Sequence, residues 1–338
     1  MKVIELTAGS MDAFRHASRP DIEPGPGEAL IALKAASLNF LDIAVATGKY
    51  PLSSFPIVPV TDGAGEIVAL GRAVAGQEEW KVGDRVVPHF LPYWQDGRLP
   101  VMGGGPRRGI DLQGSLAEYV VVPQTGLVRT PAHLTDVQAA TLPIAATTAW
   151  NTLRVAQMGP QKTTLLLGTG GVSIFALQLA KAHGSRVIIT TSSEEKAERC
   201  RELGADEVIN YKEHQSWSDE VLRLTDGKGV DFVLETGGKQ TLPQSIRAAG
   251  LDSSILVIGF LSGTEGSVDV LQVMEKRIRL QGNTTGPVSA LRDAAAVIAN
   301  HRIVPVVDEA FDWGDASEAF RHVAAGGHFG KIAITISK

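Results

Sequence analysis

The chain has 338 residues, enough for two domains with separate cores. Hydrophobic residues make up 44% and charged residues 20%, the balance of a globular protein rather than a disordered or fibrous one. A net charge of −5 with no long basic run argues against nucleic acid or anionic membrane as a partner, and a single cysteine, Cys200, rules out an intrachain disulfide and a cysteine-built zinc cluster.

The first third predicts an antiparallel β-rich unit. Met1–Leu6 and Ala29–Lys34 are strand-like, with the turn-forming run Pro24-Gly25-Pro26-Gly27-Glu28 between them. Ser37–Thr47 has the pattern of a short helix, which Gly48-Lys49-Tyr50-Pro51 would stop. Residues 57–71 return to strands, with Asp62-Gly63-Ala64-Gly65 read as a turn, and Gly83–Val87 reads as turn then strand. Residues 91–115 contain Gly103-Gly104-Gly105-Pro106-Arg107-Arg108-Gly109 and predict a long irregular loop, a kind of segment that usually carries function. Ser115–Val122 is again strand-like. The early residues Lys2, Glu5, Ser10 and Asp12 do not form a leader, and no apolar run is long enough to span a bilayer; the expectation is a cytoplasmic protein.

From Thr135 the pattern changes to helices alternating with apolar strands: Leu165–Leu167, Arg186–Thr190, Glu207–Ile209, Phe232–Glu235, Ile255–Gly259 and Arg279–Gly282. Six such strands predict a doubly wound α/β sheet. The tail has strand-like ends, Val304–Val307 and Lys331–Ile336, around a helix at Trp313–Ala324, and is expected to return to the first domain. The predicted boundaries are 1–126 with 288–338 for the β-rich domain and 127–287 for the doubly wound one. Arg279–Gly282 would be the open edge of the sheet, which predicts a homodimer through that strand.

The glycine-rich turn at Gly168-Thr169-Gly170-Gly171 has the strongest functional content. It follows the first apolar strand and opens the helix Val172–Ala182, with a second strand, Arg186–Thr190, at βαβ spacing. Glycines there let the backbone approach a pyrophosphate, and the N–H groups of the new helix face the anion. An NAD site usually ends its second strand in Asp or Glu, which binds the ribose 2′-hydroxyl. Here the strand ends in Thr190-Thr191-Ser192-Ser193, Lys196 follows one turn later, and Tyr211 ends the next strand. Small hydroxyls and a lysine suit a 2′-phosphate, so NADP(H) is the expected cofactor.

Several further segments carry a family resemblance over essentially the whole chain: Gly83-Asp84-Arg85-Val86, Ser115-Leu116-Ala117-Glu118-Tyr119, Leu142-Pro143 with Thr148-Ala149-Trp150, the turn 168–173, Leu203-Gly204-Ala205-Asp206 and Gly330-Lys331. In this order they resemble the medium-chain dehydrogenase/reductase superfamily, and within it the zinc-free quinone oxidoreductase-like branch. The resemblance implies a GroES-like β-rich catalytic domain and a Rossmann domain with a six-stranded parallel sheet. It places Lys196 and Tyr211 at positions that bind the NADP 2′-phosphate. It also assigns cofactor contacts to Asn39, Thr148, Gly168, Thr169, Gly170, Gly171, Val172, Ser192, Ser193, Gly237, Gly259, Phe260, Leu261 and Lys331. Zinc alcohol dehydrogenases of the superfamily carry Cys and a His-Glu pair where this chain has Asn39 and Thr61-Asp62, so no metal is expected.

Without a metal to polarise a ketone, substrates whose own conjugation spreads the developing charge are favoured. The expected reaction is hydride transfer to a quinone or an α,β-unsaturated carbonyl. A zinc-free alcohol dehydrogenase or carbonyl reductase is the second enzymatic reading, and a non-enzymatic NADPH-binding structural or RNA-binding protein is the reading from another class. By resemblance to the zinc-free enoyl reductases, Tyr50 is the proton donor and Asn39 the orienting amide. Phe90, Tyr93, Trp94 and Phe260 are the expected apolar substrate pocket.

Overall fold

The computed structural model describes residues 1–50, 52, 54–72 and 80–336. Pro51, the expected helix stop, lies outside them. Strands and helices follow in chain order. The N-terminal part contains β1 (Lys2–Leu6), β2 (Phe14–Ser18), β3 (Glu28–Leu38), α1 (Phe40–Ala46), β4 (Asp62–Leu70), β5 (Arg85–Pro88), β6 (Tyr119–Pro123) and β7 (Leu127–Arg129). A middle part contains α2 (Asp136–Ala139), α3 (Thr147–Val155), β8 (Thr163–Leu166), α4 (Gly171–Ala182), β9 (Arg186–Thr191), α5 (Glu194–Glu202), β10 (Glu207–Asn210), α6 (Trp217–Leu224), β11 (Val230–Glu235), α7 (Leu242–Ala248), β12 (Ala249–Val257), α8 (Val270–Glu275) and β13 (Arg279–Gly282). The chain ends with α9 (Val288–Asn300), β14 (Val307–Asp312), α10 (Ala316–Ala325) and β15 (Lys331–Thr335).

These elements form two compact units. The first is Met1–Thr147 with Gly286–Lys338, the second Thr148–Thr285. Residues 127–147 therefore sit with the β-rich unit, and the division falls between Thr147 and Thr148 rather than after residue 126.

In the first unit, seven strands form one sheet in the order β14-β15-β3-β4-β5-β7, with β6 also paired to β3, while β1 and β2 form a separate antiparallel pair. The tail returns as expected: β15 runs antiparallel to β3, pairing Ile332 with Leu38. The strand before it is Val307–Asp312 rather than Val304–Val307. The core of this unit packs Ile4, Leu6, Ile31, Ile67, Val86, Leu116, Leu127 and Phe320.

One turn expectation is corrected. Asp62-Gly63-Ala64-Gly65 is not a turn but the start of β4, paired with β3. Its glycines serve close approach: a Cβ on Gly65 would run into the carbonyl oxygen of Ala32, and one on Gly63 would lie 2.6 Å from the Ser115 hydroxyl. Glycine inside a strand marks such contacts as often as it marks a turn. Ser115–Glu118, expected as strand, precedes β6; Ser115 N–H instead donates to the Val60 carbonyl at 2.7 Å.

The second unit has a wholly parallel six-stranded sheet in the order β10-β9-β8-β11-β12-β13. The strands need no alternation because both faces are covered: Leu165, Leu166, Val187, Ile188, Ile189, Val233 and Leu234 are all fully buried. The chain winds outward from β8 through β9 to β10, then restarts on the other side of β8 with β11. That reversal puts a switch point between β8 and β11, where such sheets bind ligands beyond the carboxyl ends of their strands.

Candidate active site

The glycine turn stands at the switch point. Gly168 follows the end of β8 in the left-handed region, with φ of 70°. Gly170 is the N-cap of α4, a helix of 12 residues. A Cβ on Gly168 or Gly170 would meet nothing within 4 Å, so the backbone borders open space. The turn is held from behind: Gly168 N–H donates to Thr190 Oγ1 at 2.9 Å, and Ser173 Oγ donates to the Leu167 carbonyl at 2.8 Å. Thr169 is buried and Gly171 and Val172 open the helix, whose first N–H groups lack intrahelical acceptors. An open cradle ending in a helix N-terminus fits a pyrophosphate.

The ends of β9 and β10 lie side by side. Thr191 pairs with Asn210, and Tyr211 N–H donates to the Thr191 carbonyl at 2.9 Å. Ser192 and Tyr211 thus come together, and Ser193 caps α5 by accepting from the Lys196 N–H. Glu194, the first carboxylate after β9 in sequence, is held by Arg201 at 2.6 Å on the same helix. Cys200, on the buried face of that helix, has its thiol pushed up to about 12 by burial, which makes it a packing group.

Beyond β11 and β12 two turns are stitched to each other. Thr236 Oγ1 donates to the Leu167 carbonyl at 3.1 Å, Ser262 N–H donates to the Gly237 carbonyl at 2.7 Å, and Leu261 N–H donates to the Thr236 carbonyl at 3.4 Å. Gly259 is required there, since a Cβ would strike the Thr236 carbonyl oxygen. Phe260 and Leu261 project from this turn, 45% and 61% exposed. The organiser is Glu235, which the sequence did not single out. It is fully buried and accepts from the N–H groups of Gly237 (2.8 Å) and Gly238 (2.9 Å) and from the hydroxyls of Thr241 and Ser245. Thr148, also buried, is the second residue of α3.

In the first unit a second cluster forms where β3 ends. Asn39 caps α1, and Asp42 completes the capping box by accepting from the Asn39 N–H at 2.8 Å. Asp42 also accepts from Thr61 N–H at 2.9 Å. The Asn39 amide donates to Asp62 Oδ2 at 2.8 Å and to Thr61 Oγ1 at 3.2 Å. Its oxygen accepts from the Lys331 ammonium at 2.6 Å, and the same ammonium donates to the Leu38 carbonyl at 2.6 Å and lies 3.7 Å from Asp62. Asp42, Asp62 and Lys331 are all buried. Burial raises Asp42 to about 6 and Asp62 to about 7, although Lys331 opposes both shifts, and burial lowers Lys331. Arg108, fully buried, donates to Ser115 Oγ at 2.9 Å and adds a second cation to this region.

Tyr50 lies in the same unit, half-buried, and its phenol oxygen accepts from Nη1 of Arg107. The expected pocket aromatics do not gather. Phe90 and Trp94 are in the core of the first unit, 4% and 7% exposed, while Tyr93 is 52% exposed. The cause is local: β5 carries the chain directly into residues 89–94, and Leu91, between the two in sequence, is fully buried in the same core. Lys331, expected to touch the cofactor, donates to the Leu38 carbonyl and the Asn39 side chain.

Comparison with known proteins agrees with this architecture. Residues 25–132 match the alcohol dehydrogenase GroES-like domain, and residues 171–300 match the zinc-binding dehydrogenase domain. A zinc-type alcohol dehydrogenase-like protein of Schizosaccharomyces pombe is 41% identical over 92% of this chain and 91% of its own length. A quinone oxidoreductase of Pseudomonas aeruginosa is 30% identical over 96% of both. A crystal structure titled NAD-dependent alcohol dehydrogenase superposes with a TM-score of 0.89 at 33% identity, covering both chains completely. The chain belongs to the medium-chain dehydrogenase/reductase superfamily and is an oxidoreductase. Members of the superfamily use NAD(P), and structural neighbours are crystallised with NADP or NADPH.

The zinc in the name of one matching domain can be tested against the residues present. The resemblance sets Asn39, Thr61 and Asp62 against the ligand positions of the zinc enzymes, and an amide with a hydroxyl makes a poor donor set for zinc. The Asn39 oxygen already accepts from a buried ammonium 3.7 Å from Asp62. Among the described residues no group of three His, Cys, Asp or Glu could hold a metal ion. The donor set does not fit a catalytic zinc.

The buried carboxyls predict a pH-dependent stability. Both titrate above the ordinary aspartate value, so between about pH 4 and 7 the folded chain holds protons that the unfolded chain has released. Their contribution to stability is therefore present at low pH and is lost as pH rises through this window. In Asp62→Asn, denaturant unfolding measured from pH 4.5 to 7.5 should show a shallower decline than in the native protein.

Proposed function

We propose that this protein is an NADPH-dependent reductase of quinones or α,β-unsaturated carbonyls that works without a metal. The observation that carries the reading is the Lys331 ammonium seated on Asn39 and Asp62, where zinc relatives have their ligands. With no Lewis acid to polarise an isolated carbonyl, the substrate must spread the developing charge itself. The similarity to a quinone oxidoreductase supports the same class.

The cofactor would rest on the second unit. Gly168 to Val172 would hold the pyrophosphate, Ser192, Ser193, Lys196 and Tyr211 the 2′-phosphate, and Thr148, Gly237, Gly259, Phe260 and Leu261 the nicotinamide half. The absent carboxylate at the end of β9, with Glu194 tied to Arg201, favours the phosphorylated cofactor. Bound there, the reduced nicotinamide supplies the hydride. Asn39 orients polar groups through an amide that Lys331 and Asp62 hold in one orientation. Tyr50 gives a proton to the carbon next to the one reduced. The protein would act as a homodimer through β13, whose four residues are exposed at the sheet edge.

Three measurements follow. Lys196→Ala should raise the NADPH KM by roughly ten- to hundredfold, the value of one charge-assisted hydrogen bond, and leave NADH use nearly unchanged; equal use of NADPH and NADH by the native enzyme would count decisively against the cofactor assignment. Across quinones, enones, enoyl thioesters, aldehydes and alcohols, NADPH turnover should be greatest on the conjugated acceptors and survive chelator. There Tyr50→Phe should cut kcat on an enoyl substrate by about 10²–10⁴ while changing KM little. The loss should be smaller on quinones, whose reduced oxygens take protons from water. Alcohol oxidation without alkene or quinone reduction would support the alcohol dehydrogenase reading, and no turnover of any acceptor the non-enzymatic one. Light scattering at micromolar concentration should give twice the chain mass; a monomer would refute the β13 interface.

A further inference from the structure

We propose that Arg107 is a positioning residue for proton delivery: it holds the Tyr50 phenol by its oxygen and carries the charge left there when the proton departs. The proposal rests on the reading of Tyr50 as donor, and it assigns a role to the glycine-rich loop that the family comparisons leave unassigned.

The geometry is that of a clamped cation. Asp111 accepts from Arg107 Nε at 2.7 Å and from Nη2 at 3.1 Å, and also from the Arg107 backbone N–H at 3.0 Å. The backbone closes the same turn, because the N–H groups of Asp111 and Leu112 both donate to the Arg107 carbonyl at 2.9 Å. One edge of the guanidinium, Nε with Nη2, is thus fixed, and Nη1 donates to Tyr50. The guanidinium carbon also lies 5.4 Å from the centre of the phenol ring. The loop beneath is anchored on both sides. Arg108 is fully buried on Ser115, and Gly109, with φ of 74°, lies so close to Val60 that a Cβ would come within 2.8 Å of its carbonyl carbon.

The direction of the hydrogen bond carries the argument. A guanidinium has only donors, so Arg107 donates and the phenol oxygen accepts. The bond therefore does not use the phenolic hydrogen, which remains available to an acceptor elsewhere. In the reaction the O–H bond of Tyr50 breaks and a C–H bond forms at the α-carbon of the substrate. The electron pair of the broken bond stays on Oη, against Arg107. The neighbouring carbon takes its hydride from the reduced nicotinamide, and water returns a proton to Oη between turnovers. A fixed cation facing the oxygen where charge develops lowers the barrier without reorganising at the moment of transfer. Asp111 keeps the guanidinium in place through its Nε/Nη2 edge and leaves Nη1 to Tyr50.

The test separates a role in proton delivery from a merely structural one by a kcat-against-KM split, substrate dependence and rescue. In Arg107→Met, kcat on an enoyl substrate should fall by about tenfold or more while KM changes little. Turnover of a quinone, whose reduced oxygens take protons from water, should fall far less. Arg107→Lys should restore part of the loss, and Asp111→Asn, which loosens the clamp but keeps the cation, should give a smaller one. In a Tyr50→Phe background the further loss from Arg107→Met should vanish, because the two residues act as a pair. Circular dichroism confirms folding in each variant, and Arg107→Lys against Asp111→Asn carries the comparison if Arg107→Met does not fold. Equal losses on quinone and enoyl substrates, or an Arg107→Met loss that persists in Tyr50→Phe, overturns the role of Arg107 and leaves Tyr50 as donor. Full turnover by Tyr50→Phe overturns the donor reading itself.

Discussion

The buried ammonium of Lys331 is the interaction on which the β-rich unit depends. Two aspartates, Asp42 and Asp62, are buried within the same cluster, and neither could stay ionised in an apolar core without a cation. Lys331 reaches them from β15, at the far end of the sequence, and closes on the last residue of β3 and the cap of α1. One charge thus joins the returning tail to the N-terminal strands, and the same charge sets the orientation of the Asn39 amide. Removing the lysine alone would leave two carboxyls facing low dielectric, which is why such clusters tolerate change only as a unit.

The same arrangement bears on the zinc named in one matching domain. Where the resemblance places zinc ligands, this chain has an amide, a hydroxyl and a buried ammonium, groups that make a poor donor set for that metal. A cation fixed by three partners can orient an amide; it offers no open coordination position for a substrate oxygen. Under the proposed function, the burden of stabilising charge would pass to the substrate's conjugation and to groups such as the Tyr50–Arg107 pair.

In the second unit the equivalent constraint is a single buried carboxylate. Glu235 gathers two backbone N–H groups and two hydroxyls at the end of β11, and the turn it builds is bonded in turn to the one after β12. The glycine turn after β8 is held by Thr190 and Ser173. The ends of β8, β11 and β12 are therefore tied to one another by hydrogen bonds, and a preorganised site lowers the cost of ordering on binding.

What the sequence determined by itself is local and periodic. The six strands of the parallel sheet, the glycine turn and the missing acid after Arg186–Thr190 were legible because each depends on a short run of residues and on conformational rules that act within it. So was the short helix beginning near Asn39, whose cap and acid lie three residues apart. Tertiary structure decided the rest, since it depends on contacts between residues remote in sequence. Gly63 and Gly65 read as a turn but serve close packing of β4, because only the neighbouring strand reveals what a side chain would strike. Phe90 and Trp94 read as pocket walls but fill the core, since an aromatic residue has the same local signature in both settings. Lys331 with Asn39, and Arg107 with Tyr50, are separated by hundreds and by tens of residues, and no periodicity announces such pairs. Their roles come from low dielectric and fixed geometry, which exist only once the chain has folded.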